Sequence, residues 1–327
     1  DVLSTSETSI QTYLKNNGAS EYSSAVIGKW HLSKNDSHPN EMGIDYYAGL
    51  IGGAVQSYWS WNLNMNGNSS KSTDYITTKF TDLAIDWVAE QENPWFLWLA
   101  YNAPHDPFHL PPTNLHSQGN LPTDQASIDA NPLPYYMAMI EAMDTEIGRL
   151  LNSMPKEELE NTVILFVGDN GTPGQVIQGS PKMRAKGSIY QGGVNVPMVV
   201  SGPDIFRFGA TDNSLINTTD LFSTIANISG ISGDKIQDSQ SFYETFGNDT
   251  FEGRSFTYAE GRKESGNHDM TIRNTTHKYM VFDDGSERFY RLDTGELESD
   301  NLLNATLSTE DSQMKNDLTI ELDNLKN

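Results

Sequence analysis

The sequence predicts an α/β fold, a mixed and mostly parallel sheet sandwiched by helices, followed by a small C-terminal antiparallel sheet with a helix. Short apolar runs alternate with segments of helical periodicity over most of the chain. Beyond about residue 250, short strand-like runs are separated by Gly, Asn and Asp. We therefore expect residues 1–250 to form the main α/β domain and residues 251–327 a C-terminal antiparallel subdomain.

The apolar runs predict the strands of the main sheet. Residues 24–27 form a short buried strand that stops at Gly28, and residues 95–101 are apolar throughout, as expected for a strand covered on both faces. Residues 162–167 predict a third buried strand, and a further strand follows at 194–200. The aromatic, Gly- and Asn-rich stretch 46–72 has no clear periodicity and predicts an irregular surface excursion.

Helices are predicted wherever apolar residues recur at intervals of three and four. The predicted helices cover residues 76–88, 136–151, 219–229 and 308–325. The predicted strands of the C-terminal subdomain are residues 256–260, 269–273, 279–282 and 288–292.

The composition limits the partners of the protein. Its 327 residues include 44 Asp and Glu against 21 Lys and Arg, a net charge of −23, which disfavours binding to nucleic acid or to an anionic membrane. Cysteine is absent, which excludes disulfides and thiolate metal sites. No run approaches the roughly 18 apolar residues of a membrane span, so no membrane insertion is expected.

Three polar clusters directly follow three of the predicted strands. The first contains Lys29 and His31, the second contains His105, and the third contains Asp169 and Asn170. The carboxyl ends of parallel strands meet at one edge of a sheet, where open α/β folds bind their ligands. The topology therefore predicts one site that all three clusters share.

A fourth segment, residues 183–187, adds Arg184 and Lys186 to the candidate site. The carboxylate of Asp169 and the amide oxygen of Asn170 are hard ligands, which suit calcium or magnesium better than zinc. Cationic side chains around such an ion suit a tetrahedral oxyanion, and a histidine can protonate a leaving oxygen. These residue types indicate transfer of a sulfuryl or phosphoryl group.

Several segments resemble those of one enzyme family. Residues 25–32 are similar to the sulfatase segment Gly-Lys-Trp-His-Leu-Gly, with Ser33 in place of the last Gly. Residues 97–107 resemble the family's strand followed by Asn-Ala-Pro-His-x-Pro, and residues 166–171 its strand followed by Ser-Asp-Asn-Gly. Residues 184–197 resemble Lys-Gly-x-x-Tyr-Glu-Gly-Gly-x-x-Val-Pro, except that Gln replaces the Glu at position 191. Because these segments keep their order, the chain is identified as a member of the sulfatase family.

The resemblance implies an alkaline-phosphatase-like fold and hydrolysis of sulfate monoesters, with a sulfated small molecule or carbohydrate as substrate. It implies calcium as the cofactor, with magnesium as the second choice, and a periplasmic or secreted location. The nucleophile of the family is a formylglycine. By this resemblance, Lys29 and His31 would contact the nucleophile. His105 and Lys186 would hold the sulfate or assist the leaving group. Asp169 and Asn170 would ligate calcium.

The family's formylglycine motif, Cys- or Ser-x-Pro-x-Arg, does not occur in the sequence. The Ser-x-Pro segments that begin at Ser37, Ser153 and Ser201 lack the required Arg, and the family's upstream pair of metal-binding Asp residues is also missing. The one Asp-Asp pair, at 283–284, lies in the C-terminal subdomain. We therefore expect the chain to begin after these motifs and to be inactive by itself.

Two other functions compete with this interpretation. A phosphomonoester, phosphodiester or phosphonate hydrolase can use the same scaffold, and the identity of the upstream nucleophile distinguishes the two chemistries. A degenerate sulfatase-like binding protein is the second alternative, which the retained cationic and metal-binding residues disfavour. Two further hypotheses are weaker. His109 could contact the substrate, but loop histidines are commonly just exposed to solvent. Tyr58, Trp59 and Trp61 could form a sugar-stacking platform, but aromatic clusters usually pack against a core.

Overall fold

A computed structural model of the chain describes residues 2–18, 22–232, 235–262, 268–292 and 297–326. Contacts between residues divide the chain into two compact units. The first contains residues 1–162 and 229–232, and the second contains residues 163–228 and 233–327. The domain boundary near residue 250 stays a prediction. Over the described ranges, no helix is both long and apolar enough to cross a membrane.

The first unit contains a mixed five-stranded sheet in the order β4-β3-β2-β1-β5. Strand β1 pairs in parallel with β2 on one side and with β5 on the other, whereas the β2–β3 and β3–β4 pairs are antiparallel. The mixed sheet and its helices confirm the predicted fold class. The strands are Ser23–Lys29 (β1), Tyr46–Leu50 (β2), Trp61–Met65 (β3), Asn68–Ser72 (β4) and Trp95–Ala100 (β5).

The prediction of an irregular excursion over residues 46–72 was wrong, because this stretch supplies three strands of the sheet. Strands β3 and β4 form a hairpin whose turn residues Asn66 and Gly67 have φ angles of 47° and 85°. An Asn-Gly turn with both residues at positive φ matches the twist of paired strands. Along β3, Trp61 and Leu63 are buried while Asn62 is exposed, so an alternating pattern is present but short.

The described residues of the first unit form six α-helices, and the longest two pack against each other. Helix α3 also packs against β1, β2 and β5. Its residues Phe80, Ala84 and Trp87 are buried at intervals of four and three, which is the predicted helical spacing. The helices are Ile10–Asn16 (α1), His38–Glu41 (α2), Ile76–Ala89 (α3), Gln125–Ala130 (α4), Leu133–Ser153 (α5) and Lys156–Glu160 (α6).

Strand β5 is less buried than predicted, although its position along the chain was correct. Among the described residues it pairs only with β1, so it forms an edge of the sheet. Trp98 is 42% exposed, and the other residues of the strand are partly exposed. The apolar run suggested cover on both faces, but both faces of this strand are partly exposed in the described part of the chain.

The second unit begins with a two-stranded antiparallel sheet, in which Ile164–Val167 (β6) pairs with Met198–Ser201 (β7). The sequence predicted a buried strand among parallel neighbours, yet Phe166 is 38% exposed and β6 has only this antiparallel partner among the described residues. The strand predicted at 194–200 begins only at Met198. The preceding residues Gln191–Val194 form a short helix, α7, instead.

The C-terminal part of the second unit is a four-stranded antiparallel sheet with a helix on it, as the sequence predicted. Its core contains Ile272, Tyr279, Phe289, Leu318 and Leu322, all of which are buried. The remaining elements are Asp220–Ile228 (α8), Lys235–Ile236 (β8), Ser239–Gln240 (β9), Thr257–Arg262 (β10), His268–Arg273 (β11), His277–Val281 (β12), Glu287–Arg291 (β13) and Thr309–Leu325 (α9).

Candidate active site

The end of β1 is fitted tightly between its two neighbours. Gly28 pairs with Gly49 of β2 and with Ala100 of β5. A Cβ atom on Gly28 would lie 2.0 Å from the carbonyl oxygen of Ala100, and one on Gly49 would lie 1.9 Å from that of Gly28. Gly28 also has a φ of 121°. Only glycine can adopt this φ angle and also fit the space beside Ala100. Because Gly28 pairs with Ala100, the segments that follow β1 and β5 leave the sheet at adjacent points.

His31 lies two residues beyond the end of β1, with a φ of 57° in the left-handed region. Its backbone N–H donates to Ile51 at 3.1 Å, which extends the pairing between β1 and β2. The side chain is exposed, and its ring lies so close to Gly53 that a Cβ there would be 2.2 Å from Nε2. A left-handed non-glycine residue costs about 1 kcal/mol or more and is typical of functional positions.

Trp30, between the two candidate catalytic residues, has a structural role. Its indole N–H donates to Nδ1 of His38 at 3.0 Å, and Nε2 of the buried His38 lies 2.9 Å from the carbonyl oxygen of Leu3. Its ring also makes an edge contact with Tyr47. Trp30 therefore fixes the backbone between Lys29, which is half-buried, and the exposed His31.

His105 lies in the loop after β5, and a buried tyrosine holds that loop. The Tyr58 hydroxyl donates to the His105 carbonyl oxygen at 2.7 Å and accepts from the Asn102 side-chain amide at 3.0 Å. The His105 N–H in turn donates to the Asn102 carbonyl oxygen at 2.9 Å. Tyr58 is 1% exposed. The sequence did not assign this role to Tyr58, because 47 residues separate it from His105.

The neighbouring carboxylate orients the His105 side chain. Its Nδ1 lies 2.8 Å from an Asp106 carboxylate oxygen and 2.9 Å from the Asp106 carbonyl oxygen, both of which accept hydrogen bonds. With Nδ1 engaged in this way, Nε2 is the ring nitrogen that can meet a substrate. The side chain is 25% exposed, so solvent reaches it.

His109 is a packed residue, and the hypothesis of a solvent-exposed loop histidine was wrong. Its Nδ1–H donates to the Pro107 carbonyl oxygen at 2.9 Å, and Nε2 accepts from the Tyr75 hydroxyl at 3.0 Å, an arrangement that requires the neutral ring. Burial lowers the pKa of His109 to about 4. The rings of Tyr58 and Trp59 lie 4.2 Å and 4.9 Å from its ring, so the aromatic cluster packs around this histidine.

In the second unit, Asp169 and Asn170 form a turn directly after β6. Gly168 and Gly171, on either side of the turn, donate their N–H groups to the returning chain at Pro197 and Gly193, each at 3.0 Å. A Cβ on Gly171 would lie 2.0 Å from the Gly192 carbonyl oxygen, so this approach requires glycine. Asp169 is exposed and Asn170 is partly buried.

Lys186 is connected to the same turn through the backbone. Its N–H donates at 3.0 Å to the carbonyl oxygen of Thr172, two residues beyond Asn170. The Lys186 side chain is exposed, and Gly187 follows it with a φ of 85°. In the second unit, one backbone hydrogen bond therefore connects the candidate sulfate-binding lysine to the segment that carries the candidate metal ligands.

The six candidate residues thus form two groups, one in each compact unit. The first group contains Lys29, His31 and His105. His31 and His105 follow adjacent parallel strands as the sequence predicted, whereas Lys29 is the last residue of β1 and still pairs with β2. The second group contains Asp169, Asn170 and Lys186. A single site that all six share remains a prediction.

The metal-binding prediction rests on the chemistry of two donors. Asp169 offers a carboxylate and Asn170 an amide oxygen, and oxygen ligands are those that calcium prefers. Calcium takes about six to eight ligands, so these residues would provide only part of its coordination. Among the described residues, no three His, Asp or Glu side chains are grouped so that they could hold a metal ion.

Comparison with known proteins identifies the family. A model of the family described as Sulfatase matches residues 1–231. "Uncharacterized sulfatase YdeN" of Escherichia coli (strain K12) is 29% identical over 266 residues, which cover 71% of this chain and 45% of that protein. Arylsulfatase J of Mus musculus is 26% identical, over 63% of this chain and 37% of its own length. The chain thus spans less than half the length of these two relatives.

A solved structure supports the fold assignment. The structure described as Ps i-CgsB in complex with k-i-k-neocarrahexaose has a TM-score of 0.81 and 23% sequence identity, and the match covers 99% of this chain and 75% of that one. At this identity the similarity concerns the fold, which is alkaline-phosphatase-like. The family match over residues 1–231 and this shared fold lead to one conclusion: the chain belongs to the sulfatase family.

Proposed function

We propose that the protein containing this chain hydrolyses sulfate monoesters to an alcohol and sulfate. The observation that carries this proposal is the pairing of Gly28 with Ala100, from which the segments of Lys29, His31 and His105 leave the sheet side by side. An exposed histidine held at positive φ beside a lysine is typical of a catalytic position.

The residues of the first unit would stabilise charge and transfer a proton. Lys29 and His31 would hold the nucleophile and offset the negative charge that develops around it. The nucleophile expected from the resemblance, a formylglycine, supplies the attacking oxygen when it is present. Nε2 of His105 would donate a proton to the oxygen of the departing alcohol, since Asp106 holds the opposite nitrogen.

The residues of the second unit would bind the sulfate and the metal ion. The exposed ammonium group of Lys186 would pair with sulfate oxygens. Asp169 and Asn170 would hold calcium, which when bound supplies positive charge beside the sulfate. Their turn is held at both ends by backbone hydrogen bonds, which limits the reorganisation needed for binding.

We propose a sulfated carbohydrate as the substrate. One structural neighbour is described in complex with k-i-k-neocarrahexaose, and another, BT4656, with its substrate D-glucosamine-2-N,6-O-disulfate. The second neighbour has a TM-score of 0.78 and 17% identity, over 100% of this chain and 83% of that one. A chain with a net charge of −23 repels a sulfated polymer at long range, so local cations such as Lys186 would be needed to bind it.

The test uses the full-length protein and compares transfer of a sulfuryl group with transfer of a phosphoryl group from the same leaving group, 4-nitrophenolate. We expect turnover of 4-nitrophenyl sulfate to exceed that of 4-nitrophenyl phosphate, and EGTA to abolish it until calcium is restored. A clear preference for the phosphate would favour the phosphohydrolase alternative and overturn the proposal.

Two substitutions extend this test to the assigned residues. His105→Ala should reduce kcat by about 10²- to 10⁴-fold for a substrate with a poor leaving group, and by less for 4-nitrophenyl sulfate, whose leaving group needs little protonation. Asp169→Asn should weaken calcium binding in titration calorimetry, which is measured without turnover. Equal calcium affinity in wild type and Asp169→Asn would remove this residue from the metal site.

A further inference from the structure

The second unit contains an ion pair that is almost completely removed from solvent. Nζ of Lys278, on β12, lies 2.9 Å from an Oε1 atom of Glu298, and the side chains are 0% and 1% exposed. Burial lowers the pKa of Lys278 to about 8, and the charge of Glu298 partly offsets this effect. The carboxylate of Glu298, which accepts from Nζ, favours the ammonium form of Lys278. Because the cost of desolvating two charges roughly cancels their attraction, such a pair adds little net stability, and a geometric role explains it better.

The ion pair holds a third residue, Gln191, at two points. The Gln191 backbone N–H donates to the same Oε1 atom of Glu298 at 2.6 Å, and its side-chain oxygen accepts from Nζ of Lys278 at 3.1 Å. Gln191 is 5% exposed. The guanidinium of Arg184 also donates to the backbone carbonyl oxygen of Glu298. Glu298 thus contacts the segments of Gln191 and Arg184, and its ion pair with Lys278 joins them to the C-terminal sheet.

The first connection leads from Gln191 to the candidate metal ligands. Gln191 is the first residue of α7, and the next two residues, Gly192 and Gly193, lie against Gly171. The Gly171 N–H donates to the Gly193 carbonyl oxygen at 3.0 Å. Since Gly171 directly follows Asn170, a shift of α7 would move the metal-binding turn.

The second connection leads to Lys186. Arg184 lies two residues before it, and the Arg184 guanidinium stacks on the Tyr190 ring at 4.6 Å from the ring centroid, in addition to its contact with Glu298. The Lys186 N–H is bound to Thr172 at 3.0 Å. The backbone of Lys186 is therefore anchored at its own N–H group and, two residues earlier, at Arg184.

The neutral amide at position 191 balances the charge of the cluster. The segment that it resembles has Glu at this position, which would place a second carboxylate beside Glu298 against a single buried ammonium. Gln191 keeps the acceptor for Lys278 without adding a charge.

We propose that Lys278 and Glu298 are positioning residues that keep the candidate site in the geometry needed for catalysis. Together they hold Gln191 and through it the Asp169–Asn170 turn, and Glu298 also holds the Lys186 segment through Arg184. This inference rests on the function proposed above. Neither residue is expected to touch the substrate.

The test removes both charges together in the full-length protein, with the double variant Lys278→Met and Glu298→Gln. Losing both charges leaves no unpaired buried ion, so we expect the variant to fold. We expect kcat and kcat/KM for 4-nitrophenyl sulfate to fall together by about tenfold or more, since a displacement of about 1 Å at the site can cost 10²-fold. Hydrogen exchange of peptides from residues 169–187 should become about tenfold faster.

The matched control is Asp311→Asn, which weakens a different ion pair of the same sheet. Asp311 accepts from Arg291 at 2.8 Å and lies in the first turn of α9, and its hydrogen bonds involve neither Gln191 nor Glu298. This variant should lower the melting temperature and leave kcat and the exchange of residues 169–187 unchanged. If Lys278 and Glu298 had a purely structural role, the double variant would likewise show a lower melting temperature with unchanged kcat and unchanged exchange of residues 169–187. That outcome would overturn the proposal.

A second variant covers the case in which the double variant does not fold. Gln191→Glu keeps the size of the side chain and adds the extra carboxylate. It should accelerate exchange of residues 169–187 by about threefold or more, and unchanged exchange would contradict the proposal. If the wild-type protein hydrolyses no sulfate ester, the proposed function fails, while the exchange measurements still decide whether the cluster holds this loop.

Discussion

The contact between Gly53 and His31 gives a prediction that separates catalysis from stability. A Cβ at position 53 would lie 2.2 Å from Nε2 of His31, 2.3 Å from Cε1 and 2.5 Å from Cδ2. Unstrained contacts between such atoms are about 3.5 Å, so in Gly53→Ala the imidazole must retreat by about 1.3 Å. Because His31 lies at the surface and not in the core, we expect a stability loss of only about 0.5 kcal/mol.

The same displacement should reduce catalysis strongly. A shift of about 1 Å in a catalytic group can cost about 10²-fold in rate, or about 2.7 kcal/mol of transition-state stabilisation. The assay is kcat/KM of the full-length protein for 4-nitrophenyl sulfate, measured alongside urea denaturation. Gly52→Ala is the matched control, because a Cβ there would meet nothing within 4 Å. If both alanine variants retained wild-type activity, His31 would not act in the position described.

Three further predictions concern stability. Tyr58→Phe deprives the His105 carbonyl oxygen of its buried donor, so urea denaturation should show a loss of about 1–3 kcal/mol. Gly28→Ala combines a φ of 121° with a Cβ only 2.0 Å from the Ala100 carbonyl oxygen, and we expect circular dichroism to show little folded protein. Burial lowers the pKa of His109 to about 4, below the value of about 6.5 in the unfolded chain. The contribution of neutral His109 to the free energy of unfolding is therefore complete at pH 7.5 and declines as the pH falls toward 4. Urea denaturation should show a free energy of unfolding about 2 kcal/mol lower at pH 5 than at pH 7.5 because of this group, and His109→Gln should abolish that difference. An equal pH dependence in the variant would contradict the assignment.

Local sequence patterns predicted the positions of most elements well. The apolar runs that became β1 and β5, and the helical periodicity of α3, depend on residues close together in the chain. The extent of burial was less predictable. Whether β5 is central or at an edge depends on pairing with strands distant in sequence, and an apolar run looks the same in both cases.

The strands β2, β3 and β4 show a different kind of limit. Their sequence is rich in Gly, Asn and Ser, which individually disfavour strands, and the structure uses Gly49 where β1 approaches too closely for any side chain. The Asn66-Gly67 dipeptide was the available signal, since it is a strong indicator of a hairpin.

The candidate residues Lys29, His31 and His105 could be named from the sequence because they lie at or just beyond the ends of strands, whereas the residues that support them could not. Lys29 and His105 stand in short, recognisable motifs. Lys278 contacts Gln191 across 87 residues of sequence, and nothing local to either residue indicates that contact. A lysine inside an antiparallel strand is ordinarily a solvent-facing residue.

The position of β5 at the end of its five-stranded sheet has a consequence for the behaviour of this chain at high concentration. Among the described residues β5 pairs only with β1, and an edge strand with an exposed apolar side chain such as Trp98 can pair with a strand of another copy. The net charge of −23 on each copy opposes that encounter. Salt screens this repulsion, with a Debye length of about 30 Å at 0.01 M and about 8 Å at 0.15 M. Purification in dilute buffer should therefore keep the chain dispersed, and added salt should promote its self-association through this strand.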